Sequence, residues 1–338
     1  MTRYLITGFS GFVAYYFLKH LDERAVKEGK KIEVLGLDIA KPANYETDYS
    51  FTNLTVRFMP LNLLDGRDLE ICLQSFSPNY ILHLAALSSV GESWRRPVDS
   101  FANNTNVFLN LADAVRRNGI NCRILSVGSS EEYGNVFKEV MPLREDMSLA
   151  PLRPYAIARV SQEMLSRCYV KSFGQDIVMT RSFNHIGPRQ REAFVIPSFV
   201  KQLVYGAMDG KTEIEMTTGD TSIVRDFTDV RDVVRAYDLL LREGESGEVY
   251  NVCSGNGRSL EDIISLIAGK LGVKARTSVD RTLVRPNDNM VIVGDNSKLK
   301  GRTGWEPNLS LEDTIDDMIG YWKERYLLEK NTIYGHKE

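Results

Sequence analysis

Three short stretches carry side chains whose types and spacing could do chemistry. In "PLRPYAIARVSQEML", residues 151–165, Tyr155 and Arg159 stand one helical turn apart, just after a proline-rich turn. A phenol beside a fixed cation can act as a proton donor, because the cation stabilises the tyrosinate left behind. At ~100° per residue, Ile157, Val160, Met164 and Cys168 form one apolar stripe, and Tyr155 and Arg159 project roughly opposite it. The pair is therefore not expected among the main core contacts of its helix, and spacing alone leaves an ordinary surface pair as the alternative. The second stretch, "CRILSVGSSEEYG", reads as a buried strand ending in Ser129, Ser130, Glu131 and Glu132. In open parallel sheets, ligands sit beyond the carboxyl ends of the strands.

The third stretch, "LITGFSGFVA", places Gly8 and Gly11 after the first strand, with Ala14 where a third glycine could stand. Such a turn lets the backbone approach a pyrophosphate and aims a helix N-terminus at its charge. Gly-x-x-Gly-x-x-Ala is a weak signal alone, but strand, helix and a second strand ending in Asp38 follow in order. A carboxylate there accepts hydrogen bonds from the adenosine ribose hydroxyls and repels a 2′-phosphate, which favours NAD(H) over NADP(H).

These groups need a scaffold. The apolar runs "YLITG", "IEVLGLD", "VRFMPLN", "YILHLAA" and "CRILSVGSS" alternate with amphipathic stretches, and "DIVMTRSFN" adds a strand after the helix of Tyr155. Parallel strands need long crossovers, so the alternation predicts an α/β, Rossmann-type doubly wound parallel sheet. Residues 1–183 are expected to form the NAD-binding domain, with 223–253 rejoining it. Residues 184–222 and 254–338 are expected to form a smaller mixed α/β lobe. The chain of 338 residues is 43% hydrophobic and 26% charged, with a net charge of −3, so its overall field offers nucleic acid no attraction. Four scattered cysteines form no Cys-x-x-Cys pair, with Cys72 and Cys122 expected as buried fillers, and four histidines show no metal-ligand spacing, so no metal site is expected. No apolar run reaches a membrane span, and a reducing cytoplasm is the expected setting.

Taken together, "TGFSGFVA", "HLAALSSV", the serine-bearing strand end and a Tyr-x-x-x-basic helix resemble the extended short-chain dehydrogenase/reductases, the NAD-dependent epimerase/dehydratase family. More narrowly, "CRILSVGSSEEYG", "RSFNHIGPRQ", "VRDFTDVRDVVRAY", "EVYNVCSG" and "RPNDNMVIVGDNSKL" resemble the GDP-4-keto-6-deoxy-mannose reductases and their relatives, the GDP-mannose 4,6-dehydratases. The resemblance implies a Rossmann cofactor domain, a nucleotide-sugar lobe and a homodimer formed through a helix bundle. It implies Ser129, Tyr155 and the basic residue at 159 as the catalytic set, with Glu131 a further candidate. For the cofactor it implies Gly8, Gly11, Phe12, Asp38, Asn62, Leu63, Leu84, Ala85 and Ala86, together with Tyr155 and Arg159. For the GDP-sugar it implies Ser88, Ser130, Glu131, Asn184, Arg225, Arg285 and Asp288, while His185 is as readily a packed turn histidine. The two hydroxyls would hydrogen-bond the sugar carbonyl oxygen, and Tyr155 would protonate it as hydride arrives from NADH.

Several positions depart from the family pattern. Arg159 replaces the usual lysine, and guanidinium and ammonium are not interchangeable. Three readings stay open: a working variant, a slowed enzyme adapted to an unusual sugar, and a nucleotide-sugar-binding protein that has lost turnover. Glu131 leaves a dehydratase or epimerase with retained NAD open beside the reductase, since it could remove a proton during water elimination. The serine- and arginine-rich NADP-binding loop of the dehydratases is absent from "LDIAKPANYETDYS", which favours a reductase. Asn62, Leu109, Asn110 and Arg153 also differ from the usual residues, which predicts an altered cofactor pocket. The leading expectation is an NADH-dependent reductase of a GDP-4-keto-6-deoxyhexose, giving a product of the GDP-rhamnose type.

Overall fold

The computed structural model describes residues 1–283 and 289–334. In the first half, strand and helix alternate as β1 (Thr2–Thr7), α1 (Phe12–Glu28), β2 (Ile32–Asp38), α2 (Tyr45–Asp48), β3 (Leu54–Pro60), α3 (Gly66–Phe76) and β4 (Tyr80–His83). There follow α4 (Val90–Arg95), α5 (Pro97–Phe101), α6 (Val107–Arg117), β5 (Arg123–Ser129), α7 (Pro154–Phe173) and β6 (Asp176–Ser182). The second half runs β7 (Asn184–Ile186), α8 (Val195–Met208), β8 (Glu213–Thr218), β9 (Val224–Asp229), α9 (Val230–Glu243), β10 (Val249–Val252) and β11 (Gly257–Ser259). It ends in α10 (Leu260–Leu271), β12 (Lys274–Val279), β13 (Val291–Ile292), α11 (Ser297–Thr303) and α12 (Leu311–Tyr334).

Seven strands form one sheet in the order β10-β6-β5-β4-β1-β2-β3, every neighbouring pair parallel. Both faces are covered, as a parallel sheet requires. The period-two alternation of β1 sends Tyr4 and Ile6 into the core shared with α1 and α9, and Leu5 into the core shared with α3 and α6. Helix α9 shows how the sequence makes such a layer: Val230, Val233, Val234, Tyr237, Leu240 and Leu241 recur at helical spacing and are all buried. The chain order reverses between β1 and β4, which opens a crevice at the carboxyl ends of β1, β4 and β5.

The second lobe is built around β9, which pairs antiparallel with β11 and parallel with both β7 and β13. A separate parallel pair joins β8 to β12. Its core gathers apolar residues of α8, α10 and α12, among them Phe199, Leu203, Ile263, Ile267, Ile315 and Trp322.

The boundary between the lobes differs from the expected one in two places. Within 223–253, α9 and β10 belong to the large sheet, whereas β9 pairs only with strands of the second lobe. Leu299 and Trp305, expected in the second lobe, are buried in the α1–α9 core, because α11 lies against α9 and β10 and Trp305 Nε1 donates to the Asp232 carbonyl at 3.0 Å. Among the described residues, no helix is long and apolar enough to cross a membrane.

Candidate active site

Helix α7 starts at Pro154, whose fixed φ suits the first helical position, and ends at Gly174 in the left-handed conformation. The buried face of α7 corrects the expectation drawn from its apolar stripe. Ile157, Met164 and Cys168 are exposed and Val160 is half-buried, whereas Tyr155, Ala156, Ala158, Arg159, Gln162, Glu163, Ser166 and Tyr169 turn inward. A polar face can be buried here because β5 and the turn after it supply partners for it.

Tyr155 and Arg159 are only 6% and 5% exposed. Arg159 Nε donates to the Tyr155 hydroxyl oxygen at 3.2 Å, and its Nη1 donates to the Val127 carbonyl at 3.1 Å and to Gln162 Oε1 at 2.7 Å. Gln162 Nε2 in turn donates to Ser126 Oγ and to the Val127 carbonyl. Among the described residues no carboxylate pairs with Arg159, so its charge is held by neutral oxygens alone. A buried cation with no counter-ion is costly, and these hydrogen bonds are what offset that cost. His83, at the end of β4, sits near enough for that charge to matter. Burial first, and repulsion by Arg159 second, pull its imidazole down to about 3, so it is neutral.

Ser129 ends β5, and its Oγ accepts the Glu131 amide hydrogen at 3.2 Å. Two carboxyls follow it. Glu132 is fully buried, and its Oε1 accepts the Ser129 amide hydrogen at 2.7 Å. Burial, reinforced by neighbouring Glu163, pushes the Glu132 carboxyl well above the usual range. Glu163 is held ionised by a two-pronged pair with Arg181 at 2.9 Å. Glu131, by contrast, is partly exposed and forms an ion pair with Arg153, Nη1 to Oε2 2.6 Å.

The residues expected at the cofactor cluster around the turn after β1. Gly8 has φ +66°, and a Cβ there would come within 2.7 Å of the Ala85 amide nitrogen, so the glycine lets the β1 turn nest against Leu84 and Ala85. Thr7 Oγ1 ties this segment down by accepting the Leu84 and Ala85 amide hydrogens, both at 3.2 Å. Helix α1 begins at Phe12 with Gly11 as its N-cap and no side-chain cap, so its first-turn amides suit a pyrophosphate. Asp38 accepts the Ser10 amide hydrogen at 2.9 Å and that of Ile39 at 2.7 Å, one on each oxygen. Each oxygen keeps a lone pair for a ribose hydroxyl. The residues thus fit an adenine dinucleotide. The Asn62–Leu63 segment lies beside Asp38, since Leu61 N–H donates to the Asp38 carbonyl at 2.8 Å. Asn62 turns its own oxygen back onto the Leu64 amide, and Asn110 Nδ2 donates to the Leu63 carbonyl.

Toward the second lobe, Ser88 is exposed just before α4, Ser130 is buried in the turn after β5, and Asn184 is exposed on β7. Arg225, on β9, is half-buried, and its Nη1 donates to the Val224 carbonyl. His185 packs against Phe12 with ring centroids 5.8 Å apart and bonds the Phe183 carbonyl, and burial keeps its imidazole below the usual range. Arg285 and Asp288 lie outside the described residues. Gln162 and the Arg153–Glu131 pair were not selected from the sequence as site features. Gln162 stands three residues after Arg159, a spacing that places both on one helical face.

The nested glycine turn, the reversal of strand order and the Tyr–Arg dyad on α7 define an extended short-chain dehydrogenase/reductase. Within that class the chain belongs to the GDP-mannose 4,6 dehydratase family, whose model matches residues 5–318. It is 32% identical over 248 residues to the GDP-6-deoxy-D-mannose reductase of Pseudomonas aeruginosa, covering 73% of this chain and 81% of that one. The solved structure of RMD from Pseudomonas aeruginosa, complexed with NADPH, matches with a TM-score of 0.79 at 29% identity, over 96% of this chain and 100% of that one. UDP-glucuronic acid 4-epimerase from Bacillus cereus, solved with UDP-glucuronic acid and NAD, matches with a TM-score of 0.82 at 26% identity, over 96% and 100%. Reductases and epimerases stand side by side among these relatives. The chain is thus a nucleotide-sugar enzyme of the short-chain dehydrogenase/reductase class.

Proposed function

We propose that this enzyme reduces a GDP-linked 4-keto-6-deoxyhexose with NADH, giving a product of the GDP-rhamnose type. The observation that carries this reading is the buried contact between Tyr155 and Arg159, beside the strand that ends in Ser129. When bound, the nicotinamide supplies hydride to the carbonyl carbon. The chain's own part is to hold the carbonyl oxygen between the Ser129 and Tyr155 hydroxyls and to deliver the Tyr155 proton to it as negative charge develops. Arg159 takes the place of the usual lysine by holding the resulting tyrosinate. Asn184 and Arg225, with Arg285, are assigned to the diphosphate, Asp288 to the nucleotide ribose, and Ser88 and Ser130 to the sugar.

NADH is preferred over NADPH in this reading because the Asp38 carboxylate would stand against a 2′-phosphate. Purified protein given GDP-4-keto-6-deoxy-mannose should consume NADH, and faster than NADPH. Tyr155→Phe should lower that rate by about 10²–10⁴-fold. Absence of NADH consumption at any ketosugar concentration would end the reductase reading.

The unit is proposed to be a homodimer. Helices α4 and α5 pack on α7, and Trp94, Val98, Phe101, Ile157 and Met164 of these helices are exposed apolar residues. Exposed apolar surface concentrated on one group of helices suits a self-complementary helical interface. A reducing cytoplasm fits the four free cysteines.

A further inference from the structure

Glu132, on the turn after β5, lies wholly inside the protein and sits hard against the strand end: a Cβ on Gly128 would collide with its Oε1 and with the Thr180 carbonyl. Its Oε1 accepts the Ser129 amide hydrogen at 2.7 Å. Its Oε2 is buried and takes no hydrogen bond from a donor of the described residues; the group its carboxyl bonds instead is another carboxyl, that of Glu163. Glu163 is buried on α7. Its Oε1 accepts Arg181 Nη2 at 2.9 Å and Arg167 Nε at 3.1 Å, while its Oε2 accepts Arg181 Nε at 2.9 Å. With two lone pairs per oxygen, Glu163 Oε2 keeps one for a proton carried by Glu132. Two bare carboxylates in contact inside a protein repel, and one shared proton turns the contact into a hydrogen bond. Arg181 from β6 and Arg167 from α7 face the pair from the Glu163 side, and the Arg181 guanidinium also lies 4.8 Å from the Tyr133 ring. Burial first, and Glu163 second, push the Glu132 carboxyl up, while Arg181 holds that of Glu163 down against its own burial, so the proton belongs on Glu132.

Resting on the reading that a 4-ketosugar nucleotide is reduced in this cleft, we infer that Glu132 is a positioning residue that, bonded to Glu163 through a shared proton, fixes Ser129 relative to the helix of Tyr155. The connection is unbroken. The Ser129 amide is held by Glu132, Glu132 by Glu163, and Glu163 stands about two turns along the helix that begins beside Tyr155. The two hydroxyls that must converge on one carbonyl oxygen are therefore tied together from behind by side chains that the sugar never touches. Ser129 ends its strand, so no further ladder holds it from the other side, and the Glu132 carboxyl takes the place of that ladder. Loosening this tie displaces a donor aimed at developing negative charge. Such a displacement lowers the rate of the chemical step more than it weakens binding.

A double-mutant cycle separates positioning from mere support. Glu132→Met fills the same space without either hydrogen bond, and Glu132→Gln keeps an oxygen for Ser129 and offers Glu163 a permanent donor. These variants, Ser129→Ala and the Ser129→Ala/Glu132→Met double variant are assayed with GDP-4-keto-6-deoxy-mannose and NADH, with circular dichroism as the check on the fold. Glu132→Met should lower kcat at least about tenfold with KM changed less than about threefold, and Glu132→Gln should recover most of the loss. In the Ser129→Ala background Glu132→Met should cost nothing further, because its effect passes through Ser129. Infrared difference spectra of wild type against Glu132→Gln should show the carbonyl stretch of a protonated carboxyl, a readout that holds even if Glu132→Met does not fold. A folded Glu132→Met with wild-type kcat, a loss that adds in full to that of Ser129→Ala, or a missing protonated-carboxyl band would each overturn the inference. The same variants are assayed for epimerisation and dehydration of GDP- and UDP-hexoses, since hydride transfer at C4 uses the same two hydroxyls. The cycle holding there, with no NADH consumed by the wild type, would end the reductase reading and keep the role of Glu132. A wild type that turns over none of these sugars would overturn both.

Discussion

At the scale of single residues, Arg159 is the position where chemistry and packing meet. A lysine there would offer one ammonium to the tyrosine and leave the Val127 carbonyl and Gln162 Oε1 to find other donors. The guanidinium instead serves three oxygens at once, and Gln162 is fixed in turn by Ser126 and Val127. This buried network argues for a site adapted to arginine. Arg159→Lys is accordingly expected to lower kcat by about tenfold and to cost about 1–3 kcal/mol of stability, from buried polar groups left unpaired. Paired turnover and denaturant-unfolding measurements check both effects. A gain in rate would mark Arg159 as a defect.

At the scale of elements, the join between β5, its following turn and α7 carries a titratable pair with opposite tendencies. Arg181 holds the Glu163 carboxyl below the usual range, and burial pushes that of Glu132 well above it. For Glu132 the folded pKa lies above the unfolded one, so above the ordinary carboxyl range the unfolded chain binds fewer protons than the folded one. Its contribution to stability is then lost as pH rises. Glu132→Gln keeps an oxygen for the Ser129 amide and removes the titration. The variant should gain thermal stability relative to wild type at pH 8 and little at pH 4. Calorimetry at the two pH values checks this, and equal differences at both would show that Glu132 is ionised in the fold.

At the scale of the whole molecule, the exposed apolar residues of α4, α5 and α7 predict an assembly larger than one chain. Ile157→Glu with Met164→Glu should shift the protein toward monomer in sedimentation velocity. Both positions face away from the Tyr155–Arg159 side of α7, so the fold of each protomer should persist by circular dichroism. A wild-type protein that sediments as a monomer at all concentrations would rule out the dimer.

The alternation of apolar runs in the first half determined the parallel sheet, because only long crossovers can join parallel strands. The order of strand, glycine turn, helix and acidic strand end determined where a dinucleotide fits, since those constraints are local. The spacing of Tyr155 and Arg159 determined that the two would touch. Tertiary structure decided the rest. Periodicity showed that α7 has an apolar face and a polar one, yet not which of them lies inside. The end of β5, with the Val127 carbonyl and its carboxyl-bearing turn, satisfies the polar face and leaves Ile157, Met164 and Cys168 outward. The Arg153–Glu131 pair was likewise beyond reach, because its partners come from separate elements and only the packing of α7 against the turn after β5 brings them together.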